Sequence, residues 1–227
     1  MKIPLFDIDS TLLKGGNSAH GKAFSYAIKM IYKINASEDE IKSSGMIDTQ
    51  ILIEILKLHN FTEEKAKKKI DQAIRAMEVY YHKHKNDGQC IILKGVSKLL
   101  KELKDKKIPV GLLTGNVESI GWDKLERAGI REYFSFGAFG SLAFKRSDLV
   151  PIAKKRAEKI LNKKLSTKDF FIVGDSPLDV ACAQEAGIRV VAVSSGRFSH
   201  EQLSNYKPDL VLKSLEEKDK FFEFLQS

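Results

Sequence analysis

Cysteine is scarce: Cys90 and Cys182 are the two in 227 residues, far apart and without ligand spacing around them. That excludes a disulfide framework and a zinc-finger pattern, and it fits a reducing compartment. Long apolar runs are missing as well, so no segment is expected to span a membrane. The amino terminus passes from Met1 and Lys2 directly into an apolar strand pattern, which shows no signal peptide, and a cytoplasmic, soluble protein is expected. Negative charge is in deficit, with 38 Lys and Arg against 30 Asp and Glu, a net charge of +8. Such a surplus can attract nucleic acid, phosphorylated metabolites or acidic membranes. The lysines, however, sit beside glutamates at helical spacing, as in Glu63-Glu64-Lys65-Ala66-Lys67-Lys68-Lys69, with no interleaved aromatics. Solvated helix faces account for that pattern, and nucleic acid is not an expected partner.

What remains is an ordinary globular composition, 43% hydrophobic and 30% charged, long enough for one large domain or two modest ones. Residues 3–6 form a short apolar run that reads as a buried strand. From Gly95 onward, short apolar strands alternate with helices: strands near 109–113, 134–139, 170–173, 189–193 and 209–212, and helices near 96–106, 117–128, 148–161, 178–186 and 215–225. Alternation of this kind predicts an α/β, Rossmann-like parallel sheet covered on both faces. Between the first strand and Gly95 the spacing is helical throughout. Helices are expected over 18–33, 38–43 and 49–59, with a long one behind the Thr62 cap running to His84. Residues 16–86 are therefore expected to be an all-helical unit inserted into a core of residues 1–15 and 87–227. Lys14-Gly15-Gly16-Asn17 and Asn86-Asp87-Gly88 would serve as its hinges.

The chemistry concentrates at predicted strand ends. Asp7 and Asp9 follow the first strand two residues apart, so both face one side of it, at the edge where open α/β sheets hold ligands. They are either a solvated strand end or a pair that must take up a proton or a cation. In Leu112-Leu113-Thr114-Gly115-Asn116 a strand leads directly into a helix. The Thr114 hydroxyl, Gly115 and the free N–H groups of the helix start form a natural phosphate seat, unless Thr114 and Asn116 serve only as caps. In Gly174-Asp175-Ser176-Pro177-Leu178-Asp179, Ser176 and Pro177 mark a helix start, and Asp179 can close a capping box. Asp175 stands just before that cap. With Asp7 and Asp9 it would make an all-oxygen site suited to Mg²⁺. Lys145 and Arg146 offer a cation that could balance these acids, or are simply surface residues.

The order DIDSTL, LLTGN, a basic residue, then GDSPLD resembles the haloacid dehalogenase-like superfamily, and the helical insertion after the first motif resembles its cap domain. Within it the chain is most similar to the phosphoglycolate phosphatase-like branch. The resemblance implies that Asp7 is the nucleophile forming an aspartyl phosphate, and that Asp9 protonates the leaving oxygen and then deprotonates water. Asp9, crowded by carboxylates, is expected to hold a proton. Mg²⁺ would be bound by the Asp7 carboxylate, the Asp9 backbone carbonyl and Asp175. Thr114 and the N–H groups following it, at Gly115 and Asn116, would hold phosphoryl oxygens, while Ser176 and Asp179 would support the site from behind. Ser10 stands where the family's first motif usually has glycine. The basic third motif, commonly Lys-Pro, is here Lys145-Arg146, and Arg146 is preferred because its fork can meet two phosphate oxygens. From the cap, His20 and Asp48 are candidate substrate contacts, although a helix-surface histidine and a helix cap are their alternatives.

The expected activity is Mg²⁺-dependent hydrolysis of a small phosphorylated metabolite, phosphoglycolate-like or a sugar phosphate, by a monomer or homodimer. A phosphomutase uses the same motifs and is the nearest alternative; a non-catalytic or nucleic-acid-binding module is the more distant one. Dehalogenation is disfavoured because it needs no acid/base such as Asp9.

Overall fold

The structure, a computed structural model, describes residues 2–15 and 18–227. The proposed turn residues Gly16 and Asn17 lie outside the described residues. Six strands, β1 (Ile3–Phe6), β2 (Gly111–Thr114), β3 (Phe136–Phe139), β4 (Phe170–Gly174), β5 (Arg189–Val193) and β6 (Leu210–Leu212), form one sheet in the order β3-β2-β1-β4-β5-β6. Every neighbouring pair is parallel, with Leu5 in register between Gly111 and Ile172. The expected Rossmann-like α/β architecture is therefore the observed one. Successive strand residues point to opposite faces, so Leu5, Leu113 and Ile172 enter one core layer while Phe6, Leu112 and Phe171 enter the other. Helices α7 (Leu149–Leu161), α8 (Pro177–Ala186) and α9 (His200–Ser204) cover the first face. Helices α5 (Val96–Asp105), α6 (Glu118–Arg127) and α10 (Lys218–Gln226) cover the second.

The strand order reverses between β1 and β4: the chain first builds outward to β2 and β3, then returns to the other side of β1. Such a switch point opens a crevice at the carboxyl ends of the strands. Asp7 follows β1 and Asp175 follows β4, so the topology alone brings these two acids together.

The other four helices, α1 (Ser18–Tyr32), α2 (Asp48–Leu58), α3 (Glu63–Lys67) and α4 (Ile70–His84), bury a separate cluster that includes Phe24, Ile28, Leu52, Leu56, Met77 and Tyr81. Val117 and Ile120, at the start of α6, belong to the same cluster and join it to the sheet side. The two segments leading into and out of these helices run side by side. Lys14 N donates to Ile91 O at 2.8 Å, and Leu93 N to Leu12 O at 3.0 Å.

Several element boundaries differ from expectation. The long helix behind Thr62 is two helices, broken where Lys67, Lys68 and Lys69 crowd like charges into one turn; the Thr62 cap itself is present, accepting Lys65 N at 3.3 Å. Residues 38–43 give only a 3-10 turn over Glu38–Glu40. Helix α9 was not expected, although Ser199 and Gln202 form a capping box that marks its start.

Candidate active site

Asp7, Asp175 and Asp179 bring one carboxylate oxygen each within 4.8 Å of one another, and all three side chains are buried. Asp7 is fixed by its backbone, whose N–H donates to Val173 O of β4 at 2.9 Å. Asp179 is placed by the expected helix start: Ser176 caps α8, Pro177 opens it, and Ser176 N donates to Asp179 Oδ2 at 3.0 Å. The capping box and the supporting role are thus the same contact. Its second oxygen, Asp179 Oδ1, accepts from Arg146 Nη2 at 2.5 Å.

Arg146 is 6% exposed and stands 3.5 Å from Asp7 Oδ1. Its Nη1 donates to Gly45 O at 2.9 Å, while its Nε is buried without a hydrogen-bond partner among the described residues. Lys145, one residue earlier, is not in the site; it lies on the surface, 3.1 Å from Glu185. Thr114, fully buried at the end of β2, acts to lower the pKa of the Asp7 carboxyl against its burial, and its Oγ1 accepts from Asn116 Nδ2 at 2.8 Å.

Asp9 departs from expectation. Rather than being crowded by acids, its Oδ2 accepts from Lys124 Nζ at 2.6 Å and from Asn116 Nδ2 at 2.9 Å. Lys124 Nζ also donates to Asn116 Oδ1 at 2.6 Å and lies 3.1 Å from His20 Nδ1. His20 Nε2 in turn is 2.8 Å from Asp48 Oδ2, which accepts the Val117 N–H at 2.8 Å. Asp48 therefore closes the start of α6 from a different helix; the residue before α2 is Ile47, so Asp48 is not that helix's own cap. With Ser141 accepting Glu118 N at 3.3 Å, the Val117 and Glu118 N–H groups of the helix start are already used, and Asn116 N, expected to meet phosphate, donates to Thr114 Oγ1 at 3.4 Å. Gly115 likewise serves the protein backbone: a Cβ there would lie 2.3 Å from Met46 O. Ser10 has φ of 63°, the left-handed conformation that explains why glycine suits its position.

Lys124 is a residue of the site that motif reading missed. It is 2% exposed, and Ile120, Gly121, Lys124 and Leu125 are the buried residues of α6. That spacing puts a lysine on the inner face of an amphipathic helix, the one signal that could have found it. Asp7, Asp9, Asp175, Arg146, Asn116, Lys124, His20 and Asp48 line a cleft of about 700 Å³ that Lys14, Glu38 and Arg197 also border, while Thr114 and Asp179 are not part of its wall.

Electrostatics separate the acids. Burial, with the Asp179 charge added, pushes Asp7 up to about 6 against the opposing pull of Arg146. Burial, then Asp179 and Asp7, push Asp175 up to about 8. Burial also acts upward on Asp9, but the Lys124 charge, and the bonds from Lys124 and Asn116, outweigh it and hold Asp9 low. Burial acts against the charge on Arg146, yet Asp179 and Asp7 more than offset this and keep it protonated. Two raised carboxylates, Asp7 and Asp175, among oxygen-only donors fit a hard divalent cation, whose charge would relieve the crowding. The side chains that fit it are Asp7, Asp175 and Asp179; the Asp9 side chain is turned to Lys124.

Residues 4–193 match the family model described as haloacid dehalogenase-like hydrolase. A Clostridium perfringens protein that bears the name pyrophosphatase PpaX is 28% identical over 213 residues, covering 92% of this chain and 91% of its own length. A phosphoglycolate phosphatase of Yersinia pseudotuberculosis is 26% identical over 211 residues, 91% of this chain and 87% of that protein. Among solved structures, a β-phosphoglucomutase from Clostridium difficile superimposes with a TM-score of 0.70 at 19% identity, covering 100% of both chains, a likeness of fold.

Proposed function

The chain belongs to the haloacid dehalogenase-like hydrolases, and from that premise we propose that it is a Mg²⁺-dependent phosphatase of a small phosphorylated metabolite, phosphoglycolate-like or a sugar phosphate. The observation that carries the reading is the pairing of a buried carboxylate, Asp7, with a buried guanidinium, Arg146, whose Nη2 lies 3.5 Å from Asp7 Oδ1 at the cleft. A phosphoryl group seated against Asp7 would meet that cation.

Asp7 attacks phosphorus, the bond to the leaving oxygen breaks, and the phosphoryl group rests on Asp7 as an aspartyl phosphate. Asp9 exchanges the protons. Its Oδ2 is held by Lys124 and Asn116, which leaves Oδ1 to take up a proton, from solvent or from the monoprotonated phosphate of the substrate, to pass it to the departing oxygen, and later to take one from the attacking water. Arg146 and Thr114 hold phosphoryl oxygens, and Asp179 keeps the guanidinium turned toward Asp7. Mg²⁺, when bound, supplies charge neutralisation between the nucleophile and the phosphate. Residues 16–86 act as a cap: Met46 and His20 border the cleft, and the paired crossing segments at 12–14 and 91–93 are its pivot.

The test is phosphate release from a panel that includes 2-phosphoglycolate, several sugar phosphates and pyrophosphate, with and without Mg²⁺. Magnesium-dependent release is expected. An isomerised sugar phosphate without release would make the protein a mutase.

A further inference from the structure

Lys124 is a costly feature. A lysine ammonium withdrawn from water is unfavourable unless it is fully paired, and α6 would pack as well with leucine at this position. The structure pairs it with three groups from three places: Asp9 beyond β1 and Asn116 beyond β2, each at 2.6 Å, and His20 of α1 at 3.1 Å. Two donors converge on one oxygen of Asp9, since Asn116 Nδ2 reaches the same Oδ2 at 2.9 Å. The Asp9 side chain is nonetheless 32% exposed, toward the cleft. Two donors on one oxygen restrain the carboxylate from turning and leave Oδ1 as the oxygen for proton exchange.

We propose that Lys124 is a positioning residue: it pins Asp9 through Oδ2, so that Oδ1 is aimed at the leaving oxygen, and ties that aim to the seating of α1 through His20. The proposal rests on the phosphatase reading. Lys124 gives up no proton and touches no substrate; the proton to the leaving oxygen comes from Asp9 Oδ1, and the bond that breaks is that oxygen's bond to phosphorus. Without Lys124 the carboxylate is free to turn, and departure must proceed with less help from the acid.

Leaving-group dependence separates this role from a structural one. A poor leaving group such as the alkoxide of glycerol 2-phosphate needs the proton, whereas p-nitrophenolate departs nearly without it. Lys124→Met should lower kcat/KM for glycerol 2-phosphate on the order of 100-fold, the scale of general acid catalysis, and for p-nitrophenyl phosphate by less than about 10-fold. Lys124→Gln keeps one donor toward Oδ2 and should fall between wild type and Met for the first ester. It also carries the test if the Met variant does not fold, as judged by thermal melting. Equal losses on both esters, or no loss on either, would overturn the proposal. Failure of the unsubstituted protein to release phosphate from either ester would overturn the phosphatase reading instead.

Discussion

Replacing Asp175 by Asn should flatten the pH dependence of stability in the metal-free protein. Asp175 is 8% exposed and is pushed up to about 8 from an ordinary 3.8 by burial and by Asp179 and Asp7. The folded protein therefore holds a proton there that the unfolded chain releases above pH 4. With one more proton bound when folded, stability falls by about 1.4 kcal/mol per pH unit between the two pKa values and levels off above the folded one. Between pH 6 and pH 8 that amounts to about 2 kcal/mol, or roughly 4–8 °C in Tm for a chain of this size. Asp7, raised to about 6, is half titrated at the start of this window and adds only a few tenths of a kcal/mol across it, a contribution common to wild type and variant that their difference removes. Thermal melts in EDTA at pH 6 and pH 8 read the effect as the wild-type Tm minus the Asp175→Asn Tm, which should become more negative at pH 8. Saturating Mg²⁺ should raise the wild-type Tm, more at pH 8 than at pH 6, and do little for the variant. A wild-type minus variant difference that is independent of pH would refute the reasoning, as would a variant still stabilised by Mg²⁺.

Arg146→Lys should lower kcat on the order of 100-fold, because one ammonium cannot hold Gly45 O and Asp179 and still face a phosphoryl oxygen. Arg146→Met leaves Asp7 and Asp179 without their buried counter-charge and should cost about 3–5 kcal/mol in denaturant unfolding of the metal-free protein. Asp48→Ala removes the acceptor of Val117 N and should destabilise by about 1–2 kcal/mol, by the same assay, while raising KM. Cys182 is buried and its thiol is pushed up to about 12, so it should resist a thiol reagent until the protein is unfolded.

The core layers were legible because alternation along each strand and the helix–strand rhythm both report burial. The reversal at β1, which unites Asp7 with Asp175, is a matter of strand order that the rhythm alone does not fix. Ser176, Pro177 and Asp179 could be read because caps are local: partners three residues apart meet whatever the rest of the chain does. Contacts between distant segments were not readable in this way. Asp9 was expected among acids, yet Lys124, 115 residues away, reaches it. The start of α6 looked open, yet Asp48, 69 residues away from Val117, closes it. Lys145 and Arg146 are chemically alike in sequence, and only the backbone turn at 146–148 sends one inward and the other to Glu185. Charge type is written in a sequence, but the facing of a charge is set by packing.

The central claim is that Asp7 is the nucleophile of a phosphatase. It is tested most directly by measuring Mg²⁺-dependent phosphate release, on the best substrate of the panel, by the native protein and by Asp7→Asn with its fold verified by thermal melting. The account predicts release by the native protein and its loss in the variant by several orders of magnitude. Release at a comparable rate in Asp7→Asn would contradict it.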